Sequence, residues 1–346
     1  MANDLVMNST LVTLDLSGNK LGVRGAVSIA AAFAPDAHGF SNHTITCLML
    51  RNNHIGEGDN ALDGFAAFGE VLAKNEHITH LDLSGNSMGP EGAAALFAGV
   101  ARSASLQTLA LDDNQVMGRA DATAPEMEEG LRGLVRALHA NSRLGALSLM
   151  KNHLGPVGVR LLVEALSANK TLHTLDVRGN HVVGDCVQSL AAAVVASPRQ
   201  WVAFNRVPLA HLTPRCKVSK LDLHEEAIGS VGAMVLAIWL MDINCVAEVM
   251  VNKGTYIPLM DIKQGNLTSV RHTAVHLGPE SLMLLCSVLM LSGHVITLNL
   301  AGNSICGVGD HNAGEGLFDS SAMTLLAETL KFNTSIARVI LGNNRL

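Results

Sequence analysis

A unit written apolar-x-x-Leu-x-Leu-x-x-Asn-x-apolar, usually followed within two residues by Gly, recurs along this chain and restricts its fold more than any other feature. It reads Leu11-Leu14-Leu16-Asn19-Leu21, then Ile45-Leu48-Leu50-Asn53-Ile55, then Ile78-Leu81-Leu83-Asn86-Met88. It continues at Leu106 with Asn114, Leu144 with Asn152 and Leu172 with Asn180, and returns at Val295 with Asn303 and Ile336 with Asn344. Degenerate copies begin at Val218, where Glu226 replaces the Asn, at Val246, where Gly254 does, and at Leu267. The starts at 78 and 106, 144 and 172, 218 and 246, and 267 and 295 lie 28 residues apart, enough for a strand, a turn and a helix.

Each position has a physical reason. Alternate residues of Leu-x-Leu point into a core from a short strand, and those between them face outward. The Asn carries a donor and an acceptor for backbone groups that a turn leaves unpaired, which would otherwise cost about 1–3 kcal/mol each. Asn19, Asn53, Asn86, Asn114, Asn152, Asn180, Asn303 and Asn344 are therefore expected to form a structural ladder. The Gly permits the reversal of the chain. Ala-rich stretches with apolar spacing of three and four follow, such as 92–100 and 159–166, and read as helices.

The Leu-Asp-Leu-Ser-Gly-Asn units at 14–19 and 81–86, with this spacing, resemble the ribonuclease-inhibitor-like leucine-rich repeat family over most of the chain. The resemblance implies an α/β solenoid, a horseshoe with a parallel β-sheet on its concave face and helices on its convex face, acting through protein contacts. The segment 201–212 further resembles a spacer in leucine-rich repeat proteins of algae and other unicellular eukaryotes. Regular repeats are expected over 1–196, an irregular joint carrying Pro198, Pro208 and Pro214 over 197–217, and degenerate then regular repeats over 218–346, all in one continuous solenoid.

Composition narrows the function. A net charge of -6 and no long Lys/Arg run exclude a phosphate-backbone binder, so nucleic acid is not an expected partner. The apolar stretches 231–241 and 282–291 are too short to span a bilayer, which needs about 20 residues. The six cysteines form no CxxC pair, so no disulfide framework or zinc ribbon is expected and an intracellular, reducing, most simply cytoplasmic compartment fits. No secretory signal is visible at the start, and Asn-x-Ser/Thr triplets such as those at Asn42 and Asn333 read as chance. His77-x-x-His80 and His272-x-x-x-His276 lack the further ligands of a metal site, and neither a nucleophile turn nor a phosphate loop occurs. No cofactor and no catalysis are expected.

Two surfaces remain as candidates. On the concave face, Asp15, Asp82, Asp176 and Asp222 recur at one repeat position and are expected to line up as a carboxylate track, with Asp112, Arg51, Lys151 and Arg178 beside it. Insertions between turn and helix at 57–63, 119–129 and 308–320 carry Glu57, Asp59, Asp121, Glu126, Glu128, Glu129, Asp310 and Glu315, and are expected to form acidic edge loops. With no polar cap at either end, the chain reads as a protein-binding scaffold inside a hetero-oligomeric assembly of a microbial eukaryote. Two other readings stay open: a GTPase-activating regulator of a Ran-like small GTPase, whose relatives carry similar repeats and an acidic tail absent here, and a fragment of an immune-type receptor. Ribonuclease inhibition fits poorly, since that inhibitor is rich in Cys and Trp.

Overall fold

The computed structural model describes residues 2–35, 41–118, 124–197, 200–254, 256–306 and 319–344. Two compact units form: Met1–Asn180 with Ser197–Arg199, and His181–Ala196 with Gln200–Leu346.

In the first unit α1 (Ala2–Met7) precedes five strand–helix pairs and a last strand. These are β1 (Thr13–Asp15), α2 (Gly22–Ala31), β2 (Cys47–Met49), α3 (Ala61–Lys74), β3 (His80–Asp82), α4 (Gly89–Val100), β4 (Thr108–Ala110), α5 (Ala124–Ala140), β5 (Ala146–Ser148), α6 (Gly155–Ala168) and β6 (Thr174–Asp176). The strands are parallel and in sequence order, with Leu14, Leu48, Leu81, Leu109, Leu147 and Leu175 in one register row. Strands that all run one way need a crossover each, and the helices supply it. Leu48, Leu50, Leu83, Leu109, Leu111 and Leu149 are wholly buried between sheet and helices. α4 buries Gly92, Ala93, Leu96, Phe97, Gly99 and Val100, the one-sided stripe of an amphipathic helix. It approaches α3 so closely that a Cβ on Gly99 would lie on the Gly69 carbonyl, which explains the small residues there.

The asparagine ladder forms. Each backbone N–H of Asn19, Asn53, Asn86, Asn114 and Asn152 donates to the side-chain oxygen of the ladder asparagine in the next coil, at 2.7–3.1 Å. Each amide nitrogen donates back: that of Asn86 reaches the Leu50 carbonyl one coil earlier at 2.9 Å and its own coil's Leu83 carbonyl at 2.8 Å. Asn303 and Asn344 repeat the pattern in the second unit. The residue after the asparagine is left-handed without being Gly, as at Lys20, His54, Ser87, Gln115 and His153. Each corner thus holds a disfavoured backbone conformation where sequence reasoning assigned only Gly one.

A second set of asparagines lies at the opposite corner, where helix returns to strand. Asn42, Asn75, Asn141, Asn169 and Asn333 stand three residues before the first apolar residue of the unit and are buried or nearly so. Each side-chain oxygen accepts the N–H groups two and three residues on, and each amide donates to carbonyls of the preceding coil: Asn141 to Val100 and Ser103, Asn169 to Leu138, Asn333 to Leu289 and Ser292. Ser103 holds this position in one coil, its hydroxyl accepting the Leu106 N–H. The Asn-x-Ser/Thr triplets at Asn42, Asn169 and Asn333 are therefore products of this corner and not chance. The Asn42 amide is buried against the Leu5 and Asn8 carbonyls, and Ser335 bonds Asn333.

The second unit holds α7 (Asp185–Ala196), β7 (Ala203–Phe204), a 3-10 turn at Leu209–His211, β8 (Lys220–Asp222), α8 (Gly229–Leu240), β9 (Glu248–Met250), α9 (Leu259–Lys263), β10 (Ser269–Arg271), α10 (Pro279–Leu291), β11 (Thr297–Asn299), α11 (Ser321–Phe332) and β12 (Arg338–Ile340). β8 pairs with β9, and β10, β11 and β12 form a separate parallel sheet. After β9 the chain folds back so that Val249 and Ile257 make an antiparallel bridge, the irregularity expected around Pro258. The two apolar stretches that invited a membrane check form α8 and α10. Residues 231–237 and 281–289 are buried without interruption, because α8 packs on both α7 and α10, and α10 also on α9 and α11. No described helix is long and apolar enough to cross a membrane. The Gly184 N–H donates to the Ser321 hydroxyl at 2.6 Å, and Ser230 bonds the buried Asp319, so the helix starts of this unit meet across 137 and 89 residues of sequence.

The cysteine expectation is corrected here: Cys216 and Cys245 form a disulfide. Their separation of 29 residues looks remote in sequence, yet residues about one repeat apart are neighbours in adjacent coils.

Truncating Leu83 to Ala should lower unfolding free energy by about 2–5 kcal/mol. Asn114→Ala, which removes almost no apolar area, should cost ~3 kcal/mol by orphaning buried backbone groups on two coils. Urea denaturation of both variants checks this, and a cost near zero for Asn114→Ala would remove the ladder from the account of stability.

Candidate protein-binding face

The residues between the buried leucines place a continuous outward face on the first unit. Register puts Thr13, Cys47, His80, Thr108, Ala146 and Thr174 in one row, and Asp15, Met49, Asp82, Ala110, Ser148 and Asp176 in the next. The expected carboxylate track is thus interrupted. Met49 separates Asp15 from Asp82, and Ala110 and Ser148 separate Asp82 from Asp176, at about 4.8 Å per strand.

Asp112, one row further on, closes part of the gap. Its carboxylate accepts the Ser148 hydroxyl at 2.5 Å and the Met150 N–H at 2.9 Å, and its own N–H donates to Ser84 Oγ at 3.1 Å. Partial burial raises its carboxyl above the ordinary 3.8, with the Asp176 and Asp82 charges adding repulsion, while the bonds from Ser148 and Met150 oppose the rise. Asp82 uses one oxygen to accept the Ser84 N–H at 2.8 Å. Asp15 is exposed, and its carboxyl is held below 3.8 by Ser17.

The basic residues beside these carboxylates differ in what they neutralise. Arg178 folds back on Asp176, Nε and Nη2 meeting the two carboxylate oxygens at 2.7–3.1 Å, and both side chains are largely buried. Such a fork-to-carboxylate pair is geometrically fixed. Arg51 is exposed. Lys151 is not on the strand row: it sits in the turn after β5 with a left-handed backbone, its side chain packed toward Gly179.

Asp222 belongs to the second unit. Its carboxylate accepts His224 Nδ1 at 2.6 Å and the Tyr256 hydroxyl at 3.3 Å, and the His224 bond chiefly holds its carboxyl below 3.8. Beside it Lys220 pairs with Glu248 at 2.6 Å and lies 5.3 Å from the Tyr256 ring centre.

The acidic edge is corrected in part. Glu128 and Glu129 lie on α5, which begins at Ala124, and not in a loop. Glu128 is shared between Arg132 and Arg160, and Glu129 pairs with Arg136, so their charge is matched locally. The residues 119–129 looked like an insertion because the helix start lacks the apolar spacing found in the other repeats. Glu57 meets His54 at 2.8 Å and Asp59 is exposed. Asp121, Asp310, Glu315 and the side chain of Glu126 lie outside the described residues. Among the described residues no group of three or more His, Cys, Asp or Glu is placed to hold a metal ion.

Known proteins bear on the coils themselves. The Leucine Rich repeat family matches residues 8–30, 74–97 and 168–186. Each matched stretch opens at or next to a corner asparagine (Asn8, Asn75, Asn169) and contains a ladder asparagine (Asn19, Asn86, Asn180). The matched coils are leucine-rich repeats. Among solved structures, the chain is similar to the leucine-rich repeat-containing protein LegL7 from Legionella pneumophila, at 18% identity over 95% of this chain and 89% of that one, with a TM-score of 0.37. It is also similar to the protein in a TLR13–ssRNA13 complex, at 13% identity and a TM-score of 0.28, covering 80% of this chain and 34% of that one. No curated protein matches significantly.

Asp112 makes the repeat face sensitive to pH in an unusual direction. Its folded pKa is raised, so the folded state holds this proton more tightly than the unfolded one. Its contribution to stability is full below 3.8 and is lost as pH rises through the raised value. Thermal melts from about pH 4 to pH 7 should show Asp112→Asn gaining on the parent as pH rises. Parallel curves would mean that Asp112 titrates as an ordinary surface carboxyl.

Proposed function

We propose that this chain is a non-catalytic protein-binding scaffold, a subunit of a larger assembly, whose first-unit strand face receives an extended basic segment of a partner. The observation that carries the reading is the arrangement at Asp112, a part-buried carboxylate bonded to Ser148 and Met150, near enough to the carboxylates of β3 and β6 to feel their charge, while Arg178 is bonded to Asp176. Such a face gains by accepting a cationic side chain, and complementary charge speeds and orients association. Met49 and Met150 lie in the adjoining rows, and their flexible thioethers suit a surface that adapts to a chain laid across it.

The test is affinity purification of the tagged chain from its native cells, with in-situ cross-linking, beside an Asp82→Asn/Asp112→Asn/Asp176→Asn variant whose fold is checked by circular dichroism. A stoichiometric partner cross-linked to the strand face, whose binding weakens at least ~tenfold in the variant and with added salt, is the expected result. Full retention of every partner by the folded variant refutes the strand-face site. Recovery of a small GTPase alone, with accelerated GTP hydrolysis, replaces the scaffold with a regulator.

A further inference from the structure

Both asparagine ladders lapse in the same coils of the second unit. At the turn after the strand, Glu226, Gly254 and Val275 stand where the repeat places Asn. At the opposite corner, three residues before Val218, Val246 and Leu267, stand Arg215, Ile243 and Gln264. Other links occupy these corners. Lys263 reaches the end of α8 and donates to the carbonyls of Leu240, Met241 and Ile243 at 2.6, 3.2 and 3.0 Å. The corners before β8 and β9 are joined by the Cys216–Cys245 disulfide, with the two Cα atoms 6.0 Å apart.

The chain leading into Cys216 is held as far as Leu212, by the Asn205 amide on the Ile228 carbonyl, by Arg206 on Glu226 and by buried Val207, while residues 213–217 are exposed or half-exposed. Prolines 208 and 214 lack backbone donors. The segment is seated by buried Leu209 and Leu212, and by the indole of Trp239 on α8, which donates to the Leu212 carbonyl at 2.9 Å. Cys216 and Cys245 are both partly exposed, and Arg215 and Lys217 flank Cys216 on exposed backbone. An accessible disulfide that replaces an absent hydrogen-bonded corner differs from a buried staple: breaking it removes the covalent link between two corners that have no ladder asparagine.

We propose that Cys216–Cys245 is a reducible clasp, a substrate for a dithiol reductant, that fastens residues 213–217 to the corner after α8 when oxidised and releases them when reduced. The thiolate of the dithiol attacks Cys245 Sγ, forming a mixed disulfide as the Cys216–Cys245 bond breaks. The electron pair of that bond leaves on Cys216, which then takes a proton. The second thiol of the reductant loses its proton and attacks its own sulfur in the mixed disulfide, freeing Cys245, which is protonated in turn. Two electrons and two protons pass to the protein, and the dithiol becomes a disulfide.

The chain itself supplies the readouts. Arg215 and Lys217 are trypsin sites within the released segment, and Trp239 is one of only two tryptophans. The experiment uses the full chain with dithiothreitol as reductant and oxidised glutathione as oxidant, followed by brief trypsin treatment, mass spectrometry and tryptophan emission. Reduction should speed cleavage after Arg215 and Lys217 by ~tenfold or more, shift emission to the red and leave cleavage after Lys74 unchanged. Reoxidation should reverse all of it. Cys216→Ser/Cys245→Ser should behave as the reduced chain and ignore dithiothreitol. If that variant fails to fold, the reversible experiment on the parent chain decides alone. Equal cleavage in both states overturns the clasp, as does a chain that offers six alkylatable thiols and forms no Cys216–Cys245 link with oxidised glutathione.

Discussion

The structure depends on how a coil disposes of the backbone groups at its two corners. A three-residue strand and a helix meet at turns whose N–H and C=O groups are buried against the neighbouring coil, out of reach of water. One asparagine per corner answers this: its oxygen takes two N–H groups and its amide returns bonds to carbonyls on its own and the preceding coil. Because each of these asparagines also bonds across to a neighbouring coil, the polar groups set the spacing of coils while the leucines fill it. The same bonds hold the left-handed residue after each ladder asparagine from Asn19 to Asn180, a conformation that a short free loop would abandon.

The two units represent two ways of meeting that demand. In the first, the side chains repeat and so does the geometry, and the outward face inherits a regular grid of positions on which charge is arranged. In the second, the asparagines are missing over β8 to β10, and stability moves into α8 and α10, which are buried over nearly their whole circumference. Lys263 is the clearest substitute. Its ammonium is partly buried, which lowers its pKa, and its three donors are matched by three carbonyls at the end of a helix.

Much of this was legible in the sequence because Leu and Asn sit at fixed offsets whose chemistry admits few explanations. The corner asparagines were equally legible, three residues ahead of each apolar start, but a search anchored on Leu-x-Leu reads them as loop residues and sequons. The Cys216–Cys245 bond was hidden because cysteine spacing is ordinarily judged along the chain, while a repeat folds positions about 28 apart into contact. Asp112 escaped notice as a centre of the charged face because its row differs from that of Asp82 and Asp176, and only the register brings the three within each other's fields. The start of α5 was misplaced since Glu128 and Glu129 look like part of an insertion until Arg132, Arg136 and Arg160 stand beside them.

The contact between Gly184 and Ser321 bears on how the two units come to exist. A stack in which each coil touches only its neighbours nucleates on a pair of coils and grows by addition, so the first unit has a route through local contacts. The second unit has a seam joining residues 137 positions apart, and loop closure over that distance precedes any return from the contact. During synthesis α7 can pack on α8 as soon as that helix is made, but the bond from Gly184 must wait until the start of α11 has been made. The seam of the second unit therefore closes only after most of that unit has been made.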